Sequence, residues 1–238
     1  TFQKNYQNDH RKLINLNGNW DLNSQNVSTA NISVPFCYDF KGKVTVSRMF
    51  NTSLESPNEW NYIICCDGIN YQAEIKINGS FIVKHEGGFT PFSSPIGEGI
   101  IKESGNIIEI KIDNTLDASR TIPLKNTANY PKNYGGIYRD IYLIAVPKLF
   151  IKSSNLLSEI DINFNADIKN TVTITATDIE KYSTGDKKFT VKTELLDTSG
   201  TVKTSSDGVQ FSISSNSTIQ VISKFSLNGP TYWSPEYP

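Results

Sequence analysis

The chain has 238 residues, of which 37% are hydrophobic, 23 are basic and 24 are acidic. This length is sufficient for one large domain or two ordinary ones, each with its own core. The net charge of −1 removes any electrostatic case for nucleic acid or an anionic membrane surface as a partner. No apolar run approaches the roughly 20 residues of a membrane span, and the 11% of aromatic residues argue against disorder.

Strand patterns dominate the first half of the chain. Alternating apolar and polar residues over 71–77 predict a half-buried strand. The pair Asn78-Gly79 then predicts a tight hairpin turn, with a returning strand at 81–83. Residues 108–112 alternate in the same way, and the apolar run 141–146 has the length of a buried strand.

The second half of the chain continues this pattern. Alternation over 172–176 and 219–225 predicts two strands, and a third at 189–191 leads toward a turn at 197–200. No stretch has the apolar spacing of a three-turn amphipathic helix, and a single helix would fit only at 154–162. We therefore predict an all-β protein built from stacked antiparallel sheets, since each two-faced strand must bury one face against another layer.

A domain boundary is expected at Val146-Pro147-Lys148. Residues 1–147 have the size of a jelly-roll β-sandwich, and residues 148–238 have the size of a seven-stranded immunoglobulin-like β-sandwich. The chain opens without Met or a signal peptide and closes on an aromatic-rich segment, so we expect a piece of a longer polypeptide.

Metal binding is not expected from the cysteines and histidines. The three cysteines are Cys37, Cys65 and Cys66, and the adjacent pair lies in an apolar stretch typical of a strand. The only histidines are His10 and His85, which is too few for a zinc site at ligand spacing. The sequence therefore predicts no metal and no cofactor.

Several short motifs follow one another in a recognisable order. They are Leu16-Asn17-Gly18-Asn19-Trp20, Cys66-Asp67-Gly68-Ile69, His85-Glu86-Gly87-Gly88-Phe89, Tyr134-Gly135-Gly136-Ile137-Tyr138-Arg139-Asp140, and Trp233-Ser234-Pro235-Glu236-Tyr237-Pro238. Taken together, over nearly the whole chain, they resemble the N-terminal half of glycoside hydrolase family 2, the group of β-galactosidases, β-glucuronidases and β-mannosidases. The Gly-Gly-Ile-x-Arg and Trp-Ser-Pro-Glu-x-Pro motifs are the most specific parts of this resemblance.

The resemblance implies a galactose-binding-like jelly-roll domain over 1–147, an immunoglobulin-like domain over 148–238, and a catalytic TIM barrel that is absent from this chain. It also implies retaining hydrolysis of glycosides, which needs two carboxyl groups about 5–5.5 Å apart, both on the barrel. The carboxylates of Glu86 and Asp113 have no evident partner in the sequence. We expect no catalytic residue and no hydrolysis in this chain alone.

Substrate contact is implied for two regions. Asn114 is the first candidate, because its amide can both donate to and accept from a sugar hydroxyl; the alternative is an Asn that ends its strand by bonding to backbone. Asn129 and Tyr130 are the second. Relatives often have an aspartate near these positions, whereas this chain has none there. The missing carboxylate argues against a charged contact with the sugar and agrees with a different sugar preference.

Four further side chains each have two interpretations. Arg139 could bind substrate, although a buried or interfacial ion pair is favoured. Trp20 and Trp60 could stack on a sugar, although core packing is favoured. His85 is interpreted as a hydrogen-bonding loop residue rather than a catalyst. The pair Gly135-Gly136 is expected to supply backbone freedom or close approach.

The leading functional hypothesis is the non-catalytic N-terminal part of a retaining β-glycosidase of β-galactosidase type. Its expected partners are a carbohydrate substrate and the catalytic barrel of the same polypeptide, with a homo-oligomer left open. A stand-alone carbohydrate-binding module is the alternative, and an adhesion sandwich without sugar affinity is a third class. We expect a bacterial protein that is periplasmic or secreted rather than cytoplasmic.

Overall fold

A computed structural model describes residues 8, 10–24, 30–115, 133–178, 188–232 and 235. The chain divides into two compact units, Thr1–Pro147 and Lys148–Pro238. The described residues contain no α-helix, and none of their segments forms a helix with the length and hydropathy of a membrane span. The predicted all-β class is confirmed.

The first unit contains two large antiparallel sheets. One has the strand order β1 (Lys12–Asn15), β12 (Ile141–Pro147), β5 (Trp60–Cys66) and β9 (Phe92–Ile96). The other has the order β3 (Ala30–Val34), β2 (Gly18–Ser24), β4 (Lys43–Phe50), β10 (Asn106–Asp113), β7 (Gln72–Ile77) and β8 (Ser80–Glu86). A short pair joins β6 (Ile69–Asn70) to β11 (Gly136–Ile137), and one 3₁₀ turn spans Pro57–Glu59.

The core of the first unit follows from the period-two patterns. In β7 and β10 every second residue is buried, as the alternation predicts. Trp20 is 2% exposed within this core, and its indole N–H donates to the Leu16 carbonyl at 2.7 Å. The core-packing interpretation is therefore confirmed for Trp20, and Trp60 packs partly buried against the same core.

The second unit is also built from antiparallel strands. One sheet has the order β13 (Leu149–Ile160), β14 (Ala166–Ala176) and β19 (Ser217–Leu227). Two short pairs join β15 (Phe189–Val191) to β18 (Val209–Phe211) and β16 (Glu194–Leu196) to β17 (Val202–Ser205). Val172, Ile174, Val191 and Val221 form its buried cluster.

The stretch that could have held a helix is part of a strand. β13 pairs with β14 from Leu149↔Ala176 to Ile160↔Ala166. The connecting turn is closed by Asp161, whose Oδ1 accepts the N–H groups of Asn163 and Asn165 at 2.8 Å each. Cross-strand pairing set by this turn therefore prevails over the single helix that would have fitted at 154–162.

Candidate functional site

The Gly-Gly-Ile motif lies in a cluster of loops at the short β6–β11 pair. Gly135 forms a bridge with Tyr38, and the Phe36 N–H donates to the Ile137 carbonyl at 2.8 Å. Gly136 has a φ of +135°, and a Cβ atom there would overlap the Phe36 carbonyl oxygen. A Cβ at Gly135 would overlap the Tyr38 ring. The glycines therefore allow close approach of the 36–38 segment, which confirms the interpretation of this pair.

Asn114 follows β10 directly, and its side chain is 1% exposed. Its Nδ2 donates to the carbonyls of Phe40 and Asn133 at 2.8 Å each, and its Oδ1 accepts the Gly42 N–H at 2.8 Å. Both amide hydrogens are thus used by backbone carbonyls, and one acceptor lone pair of Oδ1 remains. The bonding agrees with the backbone-capping alternative, and direct contact of Asn114 with a sugar stays a prediction.

Asn133 returns this interaction, because its Nδ2 donates to the Asn114 carbonyl at 2.7 Å. Its Oδ1 accepts Nδ2 of Asn70 at 2.9 Å, and the same Asn70 nitrogen also donates to the Tyr134 carbonyl. Asn70, Asn114 and Asn133 thus form a linked amide network, which we call the Asn clasp. The clasp joins the β6–β11 pair to the end of β10.

The sequence interval between Asn114 and Asn133 contains the second candidate region. Asn129 and Tyr130 lie outside the described residues, and their contact with a sugar stays a prediction. The Asn clasp holds the two described ends of this interval together. Sequence reasoning missed Asn70, because a lone Asn at the end of a two-residue strand has no local signature.

Among the described residues, Arg139 has no partner for the buried ion pair expected from the sequence, and an interfacial ion pair stays a prediction. Its side chain is exposed, no ion pair joins it to another described residue, and its Cζ lies 5.3 Å from the centroid of the Tyr138 ring. The carboxylates next to it have other donors: Asp140 Oδ1 accepts Nδ2 of Asn17 at 2.6 Å, and Asp67 Oδ1 accepts the Tyr142 hydroxyl at 3.4 Å. The guanidinium is therefore held on an aromatic face instead.

The remaining titratable candidates, His85, Glu86 and Asp113, each interact with a neighbouring residue. His85 stacks on Phe92 with ring centroids 4.0 Å apart, and its Nε2 lies 3.1 Å from the Gly87 carbonyl, which confirms a hydrogen-bonding residue, although His85 lies in β8 and not in a loop. Burial lowers the pKa of His85 below its usual value. Glu86 pairs with Lys84 at 3.9 Å, and Asp113 with Lys43 at 3.9 Å. Within the described ranges, no three His, Cys, Asp or Glu side chains could jointly hold a metal ion.

Comparison with known proteins shows which family this chain is similar to. The family model "Glycosyl hydrolases family 2" matches residues 157–238. A β-galactosidase of Thermoanaerobacterium thermosulfurigenes is 28% identical over 164 residues, which are 60% of this chain and 23% of that protein. The resemblance of this chain to glycosyl hydrolase family 2 is confirmed. A second relative, a β-glucuronidase of Bacteroides fragilis, is 29% identical over 149 residues, which are 56% of this chain and 21% of that protein.

Solved structures of two β-glucuronidases share the fold. A β-glucuronidase of Bacteroides uniformis superposes with a TM-score of 0.77 at 17% identity, covering 95% of this chain and 29% of that one. A β-D-glucuronidase of Dictyoglomus thermophilum superposes with a TM-score of 0.73 at 21% identity, covering 97% and 40%. The chain spans less than a quarter of the length of the two curated relatives above.

Proposed function

We propose that this chain is the non-catalytic part of a retaining β-glycosidase of β-galactosidase type, and that its first unit helps to bind and position the carbohydrate. The hydrolysis itself requires two carboxyl groups facing each other across the glycosidic bond. The carboxylates of Glu86 and Asp113 each form an ion pair with a lysine instead. The proposal therefore assigns the two catalytic carboxyl groups to a barrel in the same polypeptide.

The observation that carries the positioning role is the Asn clasp. It fixes the start and the end of the 115–132 interval to each other and to the 40–42 backbone through bonds of 2.7–2.9 Å. A binding segment is most effective when its ends are held in place, because less conformational entropy is lost when a ligand binds. In this proposal Asn129 and Tyr130 touch the sugar, while Asn114 acts as a positioning residue that holds the segment.

The test compares this chain with the longer natural polypeptide on aryl β-galactosides, β-glucuronides and β-mannosides. We expect the longer polypeptide to hydrolyse the galactoside best and the 238-residue chain to hydrolyse none of them. In the longer polypeptide, Asn129→Ala should raise KM by about tenfold, whereas Asn31→Ala, on the exposed side of β3, should leave KM unchanged. Hydrolysis by the purified 238-residue chain, or none by the longer polypeptide, would overturn the proposal.

The cellular setting belongs to the same proposal. We place the protein in a bacterium, in the periplasm or outside the cell, with the catalytic barrel as the partner of both units. A homo-oligomer remains a second form of association. Cell fractionation combined with light scattering of the longer polypeptide tests both statements.

A further inference from the structure

The chain contains three Asn-Gly pairs, which are Asn17-Gly18, Asn78-Gly79 and Asn228-Gly229. An Asn that precedes Gly is prone to spontaneous loss of its side-chain amide, because glycine has no side chain to hinder the approach of its backbone nitrogen to the Asn Cγ atom. The reaction requires the Asn side chain to turn toward that nitrogen. The freedom of each amide in the folded chain therefore decides which pair reacts.

The amide of Asn78 is fixed by three hydrogen bonds. Its Nδ2 donates to the Ile100 carbonyl at 2.7 Å and to Oδ1 of Asn106 at 2.9 Å, and its Oδ1 accepts the Ile107 N–H at 2.9 Å. Both amide hydrogens are used, together with one lone pair of the oxygen. These bonds must be given up before Cγ can turn toward the Gly79 nitrogen, so the fold slows the reaction at this pair.

The amide of Asn17 is fixed in a similar way. Its Nδ2 donates to Oδ1 of Asp140 at 2.6 Å, and its Oδ1 accepts the Ile141 N–H at 3.0 Å. These partners lie 123 and 124 positions further along the chain, so both bonds exist only after folding. Gly18 also belongs to β2, where it pairs with Val34 of β3. The fold therefore protects this second pair as well.

Asn228 is different, because it lies directly after β19 and its side chain is exposed. No described residue hydrogen-bonds its amide, which can turn freely in solvent. Gly229 is exposed as well, has a φ of +56°, and has no heavy atom within 4 Å of its would-be Cβ. Neither partner of the reaction is restrained by a side-chain contact.

We propose that Asn228 is a site of spontaneous deamidation, with water as the only co-reactant, and that the fold protects Asn17 and Asn78. The Gly229 nitrogen forms a bond to Cγ of Asn228, the bond from Cγ to Nδ2 breaks, and ammonia leaves with the proton of the Gly229 N–H. The product is a cyclic imide. Water then adds to one of the two ring carbonyls and breaks its bond to the Gly229 nitrogen, which regains a proton. The result is aspartate or isoaspartate, with no change of oxidation state.

The modification changes the charge and the backbone at the end of the three-stranded sheet. It adds one carboxylate to a chain whose net charge is −1. In the isoaspartate product the backbone runs through the former side chain, which inserts one CH₂ group between Leu227, the last residue of β19, and Gly229. The inference goes beyond the proposed function and does not rest on it, since carbohydrate takes no part in the reaction.

The test follows each Asn residue in the folded 238-residue chain at neutral pH, in water enriched in the heavy oxygen isotope. Samples are digested at acidic pH, and mass spectrometry of the peptides reports the oxygen incorporated at each position. We expect Asn228 to react at least about tenfold faster than Asn17 and Asn78. In urea the three rates should become comparable, because the protecting bonds are lost. Asn31 is also exposed but precedes Ile32, so it should keep its amide over the same period.

A pair of variants provides a second measurement by ion-exchange chromatography of the folded chain. Asn228→Ser should abolish the slowly formed acidic species, whereas the matched variant Asn31→Ser should form it at the parental rate. Because both side chains are exposed, we expect both variants to unfold at the same urea concentration as the parent.

Three results would overturn the inference. These are reaction of Asn17 or Asn78 as fast as Asn228 in the folded chain, no product at Asn228 over a period in which the chain reacts in urea, and an acidic species that forms at the parental rate in Asn228→Ser. None of these results depends on hydrolysis of a glycoside, so the inference succeeds or fails independently of the assay on the longer polypeptide.

Discussion

Asn114 and Asn133 hydrogen-bond to each other's backbone in both directions. Nδ2 of Asn114 donates to the Asn133 carbonyl at 2.8 Å, and Nδ2 of Asn133 donates to the Asn114 carbonyl at 2.7 Å. The two residues are 19 positions apart, and the interval between them contains both remaining candidates for sugar contact. The side chains of Asn114 and Asn133 therefore hold the two ends of this interval together, and the 40–42 backbone is a third point of attachment.

The first prediction concerns the stability that Asn114 provides. Asn114→Ala removes a buried amide and leaves the Gly42 N–H and the Phe40 and Asn133 carbonyls without their bonds. We expect a loss of about 2 to 3 kcal/mol in the free energy of unfolding, measured by urea titration. The control Asn31→Ala removes an exposed amide and should change this free energy by less than about 0.5 kcal/mol. Equal losses in the two variants would contradict a structural role for the clasp.

The second prediction separates steric overlap from backbone strain in the Gly-Gly motif. Both Gly136 and Gly79 have positive φ, at +135° and +80°, but only Gly136 would bring a Cβ atom into the backbone of Phe36. Gly79 has no heavy atom within 4 Å of its would-be Cβ. We expect Gly79→Ala to cost about 1 kcal/mol of unfolding free energy, and Gly136→Ala to cost more than about 2 kcal/mol. Similar costs would show that the close approach to Phe36 relaxes easily.

The third prediction is a pH dependence of stability that arises from His85. Burial holds the folded-state pKa of His85 below its ordinary value of 6.5, so the unfolded chain takes up the proton first as the pH falls. The stabilising contribution of His85 is complete above about pH 6.5 and is lost as the pH falls through the folded-state pKa. Urea unfolding from about pH 7.5 down to about pH 5 should therefore show a larger loss for the parent than for His85→Gln. Parallel profiles of the two proteins would contradict the assignment.

The fourth prediction concerns the three thiols. Cys37 is exposed, whereas Cys65 and Cys66 are buried in β5, and burial raises the pKa of Cys65 to about 12 and that of Cys66 well above its usual value. A disulfide reagent at neutral pH should therefore modify Cys37 alone in the native chain and all three thiols in urea. Native Cys37→Ser should be unreactive. Reaction of a second thiol in the native parent would show that β5 opens to solvent.

The sequence was sufficient to predict those features of the fold that depend on residues close together in the chain. The hairpin of β7 and β8 follows from the period-two burial of one strand and from Asn78-Gly79, both of which adopt the positive φ that a primed turn requires. Burial of Trp20 and of Cys65 and Cys66 in strands could also be predicted, because each residue is apolar and lies in a stretch with a strand pattern. The all-β class rests on such local signals repeated along the chain.

The candidate site was less predictable, because its contacts join residues far apart in the chain. Asn70 bonds to Asn133 across 63 positions, and Asn114 bonds to Gly42 across 72. Nothing in the residues around Asn70 indicates these partners. Arg139 was expected in an ion pair, yet the nearby carboxylates accept hydrogen bonds from Asn17 and Tyr142, and the guanidinium lies on the Tyr138 ring.

The amino-acid sequence alone determined the strands, their buried faces and the turn at Asn78-Gly79, since these depend on alternation and on backbone geometry within a few residues. Only the tertiary structure decided how the amide of Asn114 is used and which groups surround Arg139. Hydrogen-bond partners of a polar side chain are set by whichever backbone groups lie next to it after the sheets have stacked. That proximity is a property of the assembled sandwich and is not encoded in any short stretch of the chain.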